Sequence, residues 1–149
     1  MNYYFKKRVN LNITITMENG LIIKDSPNNL ETTYTKLRTI LSNNPNLKIL
    51  LELDHSKNAA SAGLELNATK IIMFGNPKLG TPLMQASQTV AIDLPQKIIV
   101  FATSDSSSKI AYNDPMYLKD RHQIDGNTTI LETISGALNT ITDKVIESE

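Results

Sequence analysis

The chain has 149 residues, 40% of them hydrophobic and 20% charged, and its 15 basic and 15 acidic side chains leave a formal net charge of zero. That length suits a single domain, residues 1–149, with a sizeable core. The charge balance leaves no net basic field to gather nucleic acid or an anionic membrane, and the absence of cysteine excludes disulfides, thiolate nucleophiles and Cys-ligated metal sites. No apolar run is long enough to span a bilayer. No apolar segment follows the charges of "MNYYFKKRVN", so a cytoplasmic protein without a signal peptide is expected. The basic run Phe5–Arg8 is too short for a nucleic-acid arm.

Val9, Leu11, Ile13, Ile15 and Met17 alternate with polar residues, the period of a strand with one buried face. Asn19-Gly20 is the favoured pair for a type I′ turn, and Leu21–Lys24 returns antiparallel. A helix follows, with Asn28 as its cap, Glu31 completing a capping box, and Leu30, Tyr34, Leu37 and Leu41 as its apolar stripe. Asn43, Asn44 and Pro45 end it. Leu47 to Leu53 alternates again and ends at Asp54-His55. "SKNAASAGLEL" reads as a short helix packed closely on the sheet, with Gly63 weakening it. Ile71–Phe74 is continuously apolar, as in a strand covered on both faces.

Next comes "GNPKLGTPLMQ". Gly75 and Gly80 permit turns, and Pro77 and Pro82 push the residues before them to extended angles. Thr81 then reads as a helix cap with Pro82 in the first helical position. This rigid corner presents Asn76, Lys78 and Thr81 beside a helix N-terminus, which can hold an anion. It has neither the P-loop spacing nor the dinucleotide fingerprint. Gln96–Thr103 and Lys109–Tyr112 are strands joined through "SDSSS". Asp114-Pro115 opens a short helix that Gly126 ends. The last helix starts near Thr129 with Glu132 in a capping box, and Ile130, Ile134, Leu138, Ile141 and Val145 form its apolar face. The expected class is α+β: a mainly antiparallel sheet, helices on one face, an N-terminal hairpin and a C-terminal amphipathic helix.

"ELDHSKNAASAGLEL", "FGNPKLGTPLMQ", "AIDLPQKIIVF" and "YNDPMYLKDRH" occur in this order. Together they resemble the family catalogued as domain of unknown function 302, the TT1751-like fold group, over about Gly20 to Asp143. The resemblance implies an α+β fold and a homodimer, and it implies no reaction. Its motif positions fall here on Asp54, His55, Gly75, Asn76, Pro77, Gly80, Thr81, Pro82, Met84, Asp93, Pro95, Tyr112, Pro115 and His122. The "SKN" after His55 departs from the alanines of the relatives.

Histidine titrates near neutral pH, so His55 and His122 are candidate acid–base groups. Asp54 or Asp93 could orient His55 as a general base. Asp93 also reads as a turn cap, and His122 as a cation at a helix C-terminus. Met73 and Met84 read as core. No metal-ligand spacing and no GxSxG elbow is present, so no metal or cofactor is expected. The reading that results is a small dimeric module binding a small molecule, anions included, through His55, Asn76, Lys78, Thr81, Asp93, Tyr112 and His122. The alternatives are an acid–base enzyme built on His55, or a purely structural or regulatory dimerisation domain.

Overall fold

The computed structural model describes residues 7–9 and 13–148. Residues 10–12 of the expected first strand, and Phe5 and Lys6 of the basic run, lie outside the described residues. The elements are β1 (Lys7–Val9), β2 (Ile13–Glu18), β3 (Leu21–Ser26), α1 (Leu30–Ser42), β4 (Lys48–Asp54), α2 (His55–Ser61), β5 (Thr69–Gly75), α3 (Pro77–Ala86), β6 (Gln96–Ala102), β7 (Ser108–Asn113), α4 (Pro115–Arg121) and α5 (Thr128–Ile146). A short 3-10 turn, Gln88–Ile92, which the sequence did not announce, follows α3. The strands form one sheet in the order β1-β2-β3-β7-β6-β5-β4, and every pairing is antiparallel. The architecture is the expected α+β.

Asn19 and Gly20 both have positive φ, 52° and 78°, as a type I′ turn demands. The hairpin places β3 beside β7, with Ile22 opposite Tyr112 and Lys24 opposite Ile110. The core lies between the sheet and its helices. Ile72, Phe74, Ile98, Val100, Ile110 and Tyr112 from the strands meet Leu37 and Leu41 of α1 and Leu131, Leu138 and Val145 of α5. Leu37, Leu41, Leu138 and Val145 come from the helical stripes read in the sequence, and Ile72, Phe74, Ile98 and Val100 from its apolar strand segments, whereas the period-two stripes supply none of them.

Local chemistry corrects several expectations. Asn29, not Asn28, caps α1 by accepting from the Thr32 amide at 2.9 Å. Asn28 is used through its carbonyl, which accepts from the Ser108 hydroxyl at 2.9 Å. Glu31 therefore falls outside a capping box and pairs with Lys70 at 2.7 Å. Helix α5 begins at Thr128, after Asn127 in the left-handed region and with no side-chain cap. No residue of α2 is buried, so that helix is not packed tightly on the sheet. β5 is not covered on both faces: Ile72 and Phe74 are buried, while Ile71 and Met73 are half-exposed. The helices lie on the other side of it.

The face of the sheet away from the core carries an apolar row. Ile23 pairs with Ala111, Ala111 with Ile99, Ile99 with Ile71, and Ile71 with Leu53. Within the row only Ala111 is fully buried.

Candidate functional site

The "GNPKLGTPLM" corner is a helix start, five residues before the Thr81 cap that the sequence suggests. Asn76 is the cap and Pro77 the first helical residue of α3, while Pro82 sits inside the helix. Both Asn76-Pro77 and Thr81-Pro82 offer a cap followed by proline. The chain uses the first pair, and the Asn76 side chain accepts from the Lys78 amide at 3.0 Å. Its carbonyl accepts from the Leu79 and Gly80 amides, both at 3.0 Å. Pro77 has no N–H, so the first donors of the helix are spent and the N-terminus offers little to an anion.

This corner walls a cleft of about 340 Å³ between α3, α5 and the ends of β4 and β5. Phe74, Ile134, Leu138 and Ile141, each at most 7% exposed, form its floor. Leu47, Leu79, Met84, Leu94 and Pro95 extend the apolar wall. Met84, expected as core, faces this space. In β4 the register slips between Ile49 and Leu51. Such a bulge leaves one residue unpaired and re-aims it. The extra residue, Leu50, is 51% exposed and lines the cleft mouth. Asn76 and Thr81 line the cleft with Lys48 and Gln96. Lys78 does not, and its side chain is on the surface.

Asp93 and His122 meet each other beside the cleft rather than within it. His122 Nε2 is bonded to Asp93 Oδ2. Their side chains are 6% and 12% exposed. A carboxylate only accepts, so Nε2 is the donor. In the neutral ring Nδ1 then accepts from the Thr89 hydroxyl at 2.9 Å. Arg121 lies 3.4 Å from Asp93 Oδ1, and Ser87 Oγ donates to the His122 carbonyl at 2.7 Å. The arrangement clips the end of α4 to the 3-10 turn. Thr89 and Ser87, its partners on that turn, were not singled out by the sequence.

His55 stands apart. Antiparallel pairing puts the end of β4 and the start of β6 at opposite ends of the sheet, so Asp93 does not approach His55. Asp54 is occupied as the cap of α2. It accepts from Ser56 Oγ at 2.5 Å and the Lys57 amide at 3.1 Å, and these bonds, led by the Ser56 hydroxyl, hold its carboxyl below the usual carboxylate range. It does not orient His55, which makes no hydrogen bond or ion pair among the described residues. The depression near α2, lined by Ser56, Ala60, Leu64, Glu65, Leu66 and Asn67, has no buried wall.

Tyr112 is 3% exposed, inside the core. The Lys24 ammonium lies 6.0 Å from its ring centre. Lys24 is fully buried, which its place at the end of a predicted strand does not reveal. Among the described residues no group of acidic, histidine or cysteine side chains is arranged to hold a metal ion.

The model of the domain of unknown function DUF302 matches residues 22–141. The chain belongs to the DUF302 family. A crystal structure of an uncharacterised conserved DUF302 protein from Bacillus stearothermophilus superposes on this DUF302 chain with a TM-score of 0.74. It is 18% identical, and the match covers 85% of this chain and 98% of that one. That likeness concerns the fold.

Proteins named fluoride-specific ion channel FluC 1 from Brucella suis and FluC 2 from Brucella melitensis are each 30% identical over 108 residues. The matched stretch is 72% of this chain but only 42% and 40% of those proteins. This DUF302 chain thus spans about two fifths of the relatives' length, and among its described residues no helix is long and apolar enough to cross a membrane.

Proposed function

We propose that this DUF302 chain is a small-molecule-binding module that works as a homodimer. The cleft carries the reading: about 340 Å³, walled by α3, α5 and the β4 bulge, with an apolar floor and polar groups only toward its mouth. That volume is at the lower end of ligand pockets, and apolar walls with a few polar groups are their usual make-up. The ligand is therefore small and largely apolar. Its contacts come from Leu47, Leu50, Phe74, Met84, Leu94 and Ile141, with Asn76 and Thr81 at the rim. His55, Lys78 and Tyr112 lie outside it, and Asp93 and His122 brace its wall through Leu94-Pro95. Binding is favoured over acid–base chemistry because Asp54 and Asp93 are both committed elsewhere and neither serves His55.

The dimer rests on the outer face of the sheet. Its central row Ile23–Ala111–Ile99–Ile71–Leu53 is uncharged, while Asp25, Lys109 and Lys97 flank it on neighbouring rows. A second copy can lay its neutral row on this one and keep charges of both signs at the edges. Native mass spectrometry of the purified chain tests both parts. The expected result is a dimer mass carrying a reproducible adduct that is lost in Ala137→Phe, whose new ring fills the cleft from its rim. A monomer would refute the dimer, and no adduct before or after exposure to a metabolite extract would refute the binding module.

A further inference from the structure

We infer that the cleft selects an amphiphile, an aliphatic body of short to medium length with an anionic head, and that Lys48 holds the head. This rests on the binding reading above and adds the ligand's class to it.

The floor excludes polar bodies. Phe74, Ile134, Leu138 and Ile141 are buried and offer no hydrogen-bonding side chain, so a polar group pushed against them would lose its water without replacement. The mouth has the opposite character and a definite sign. Lys48 is the one charged residue in the lining, and no acidic side chain is present there. Lys48 is exposed and has no hydrogen bond or ion pair among the described residues. It stands beside Leu47 and Leu50 in the lining, an apolar bed along which its stem can lie while the ammonium stays wet.

The neutral rim groups complete the head site. The Asn76 side-chain oxygen Oδ1 is spent on the Lys78 amide, which leaves its NH2 donors. Thr81 and Gln96 contribute a hydroxyl and an amide. One cation, several donors and no carboxylate favour a carboxylate-like head over a neutral or cationic one. The α3 N-terminus does not hold this head, because its first amides are already bonded.

Isothermal titration with decanoate, decanol and decyltrimethylammonium, all below their aggregation limits, tests the inference. Decanoate is expected to bind at least about tenfold more tightly than decanol, with no binding of the cation. Lys48→Gln should erase the difference between decanoate and decanol while leaving decanol binding unchanged. Lys48 is exposed, so this variant keeps the fold. Equal binding of the three, or a Lys48→Gln variant that still prefers decanoate, overturns the head assignment and leaves the apolar cleft standing. Failure of all three to bind overturns the assignment together with the binding module it rests on.

Discussion

Lys24 on β3 and Asp143 on α5 form an ion pair at 2.7 Å across the core edge. The Lys24 side chain is fully buried, and its ammonium also donates to Thr142 Oγ1 at 2.8 Å and Asn139 Oδ1 at 2.9 Å. It thus pins the N-terminal hairpin to the last helix. Burying an ammonium is tolerable only with this many acceptors. Lys24→Ala should cost about 2–5 kcal/mol, because it leaves a cavity as well as unpaired acceptors. Lys24→Met keeps the stem and should cost far less, since Asp143 is 45% exposed and can rehydrate. Asp143→Asn should cost about 1 kcal/mol, the attenuated value of a half-exposed partner. Urea denaturation of the three variants checks the order; an Ala variant no worse than Met would show that the stem does not fill the core.

Gly20 closes the hairpin at φ 78°. A Cβ there would overlap the ring of Tyr117 on α4. Gly20→Ala combines left-handed strain, roughly 1 kcal/mol or more for a residue with a side chain, with that collision. The expected loss is about 2–3 kcal/mol. In Gly20→Ala/Tyr117→Ala the collision is gone and only the backbone strain remains, so a double mutant as unstable as the single would refute the contact.

Burial pushes the Tyr112 hydroxyl up to about 12, and the hydroxyl lies beside Thr142 without a well-formed hydrogen bond. Above the ordinary phenol value of about 10, the unfolded chain ionises first. Unfolding then releases a proton, so the stability contributed by neutral Tyr112 is intact below pH 10 and fades as pH rises toward 12. The loss is on the order of 2–3 kcal/mol across that window. Tyr34, raised further by burial and its bond to Glu52, acts in the same direction. Stability measured against pH should fall less steeply in Tyr112→Phe than in the parent; identical slopes would contradict the burial argument.

The Asp93–His122 clip is expected to support the cleft mechanically. His122→Ala removes a bond to a charged partner in a nearly buried setting, worth roughly 1.5–3 kcal/mol, and frees the 3-10 turn before Leu94. Thermal unfolding should report that loss. Affinity of the cleft for its ligand should weaken through a looser wall without vanishing. Complete loss of binding with an unchanged melting temperature would instead place His122 in contact with ligand.

Much of the fold could be read from the sequence, because periodicity speaks directly. The Asn19-Gly20 turn and the Ile134–Leu138–Ile141–Val145 stripe encode their own geometry, whereas the alternation in Leu47–Leu53 announces a strand but not its faces, because the bulge after Ile49 turns Leu51 and Leu53 to the outer side and leaves no residue of β4 buried. Choices between equivalent local signals could not be read. Asn28 and Asn29 are both good caps, and Asn76-Pro77 and Thr81-Pro82 are both good helix starts, so tertiary packing decides between them. Lys24 looks like a surface residue at a strand end until the partners from α5, more than a hundred residues away, are in place. The candidate site was legible as a region: the corner was found, and Asn76 and Thr81 do line the cleft. Its apolar character was not, because the floor comes from Phe74 and α5, each of which reads locally as ordinary core. The sequence lets His55 and Asp93 be paired only because it hides which end of the sheet each occupies.

Everything proposed for this chain turns on whether the α3–α5 cleft binds a small, largely apolar molecule. The most direct measurement is native mass spectrometry of the parent chain beside Ala137→Phe, after exposure to a metabolite extract and with far-ultraviolet circular dichroism as the fold control. An adduct on the parent and none on a folded Ala137→Phe is the expected result. An adduct of the same mass on both would place the ligand elsewhere, and no adduct on either would leave the "GNPKLGTP" corner as architecture alone.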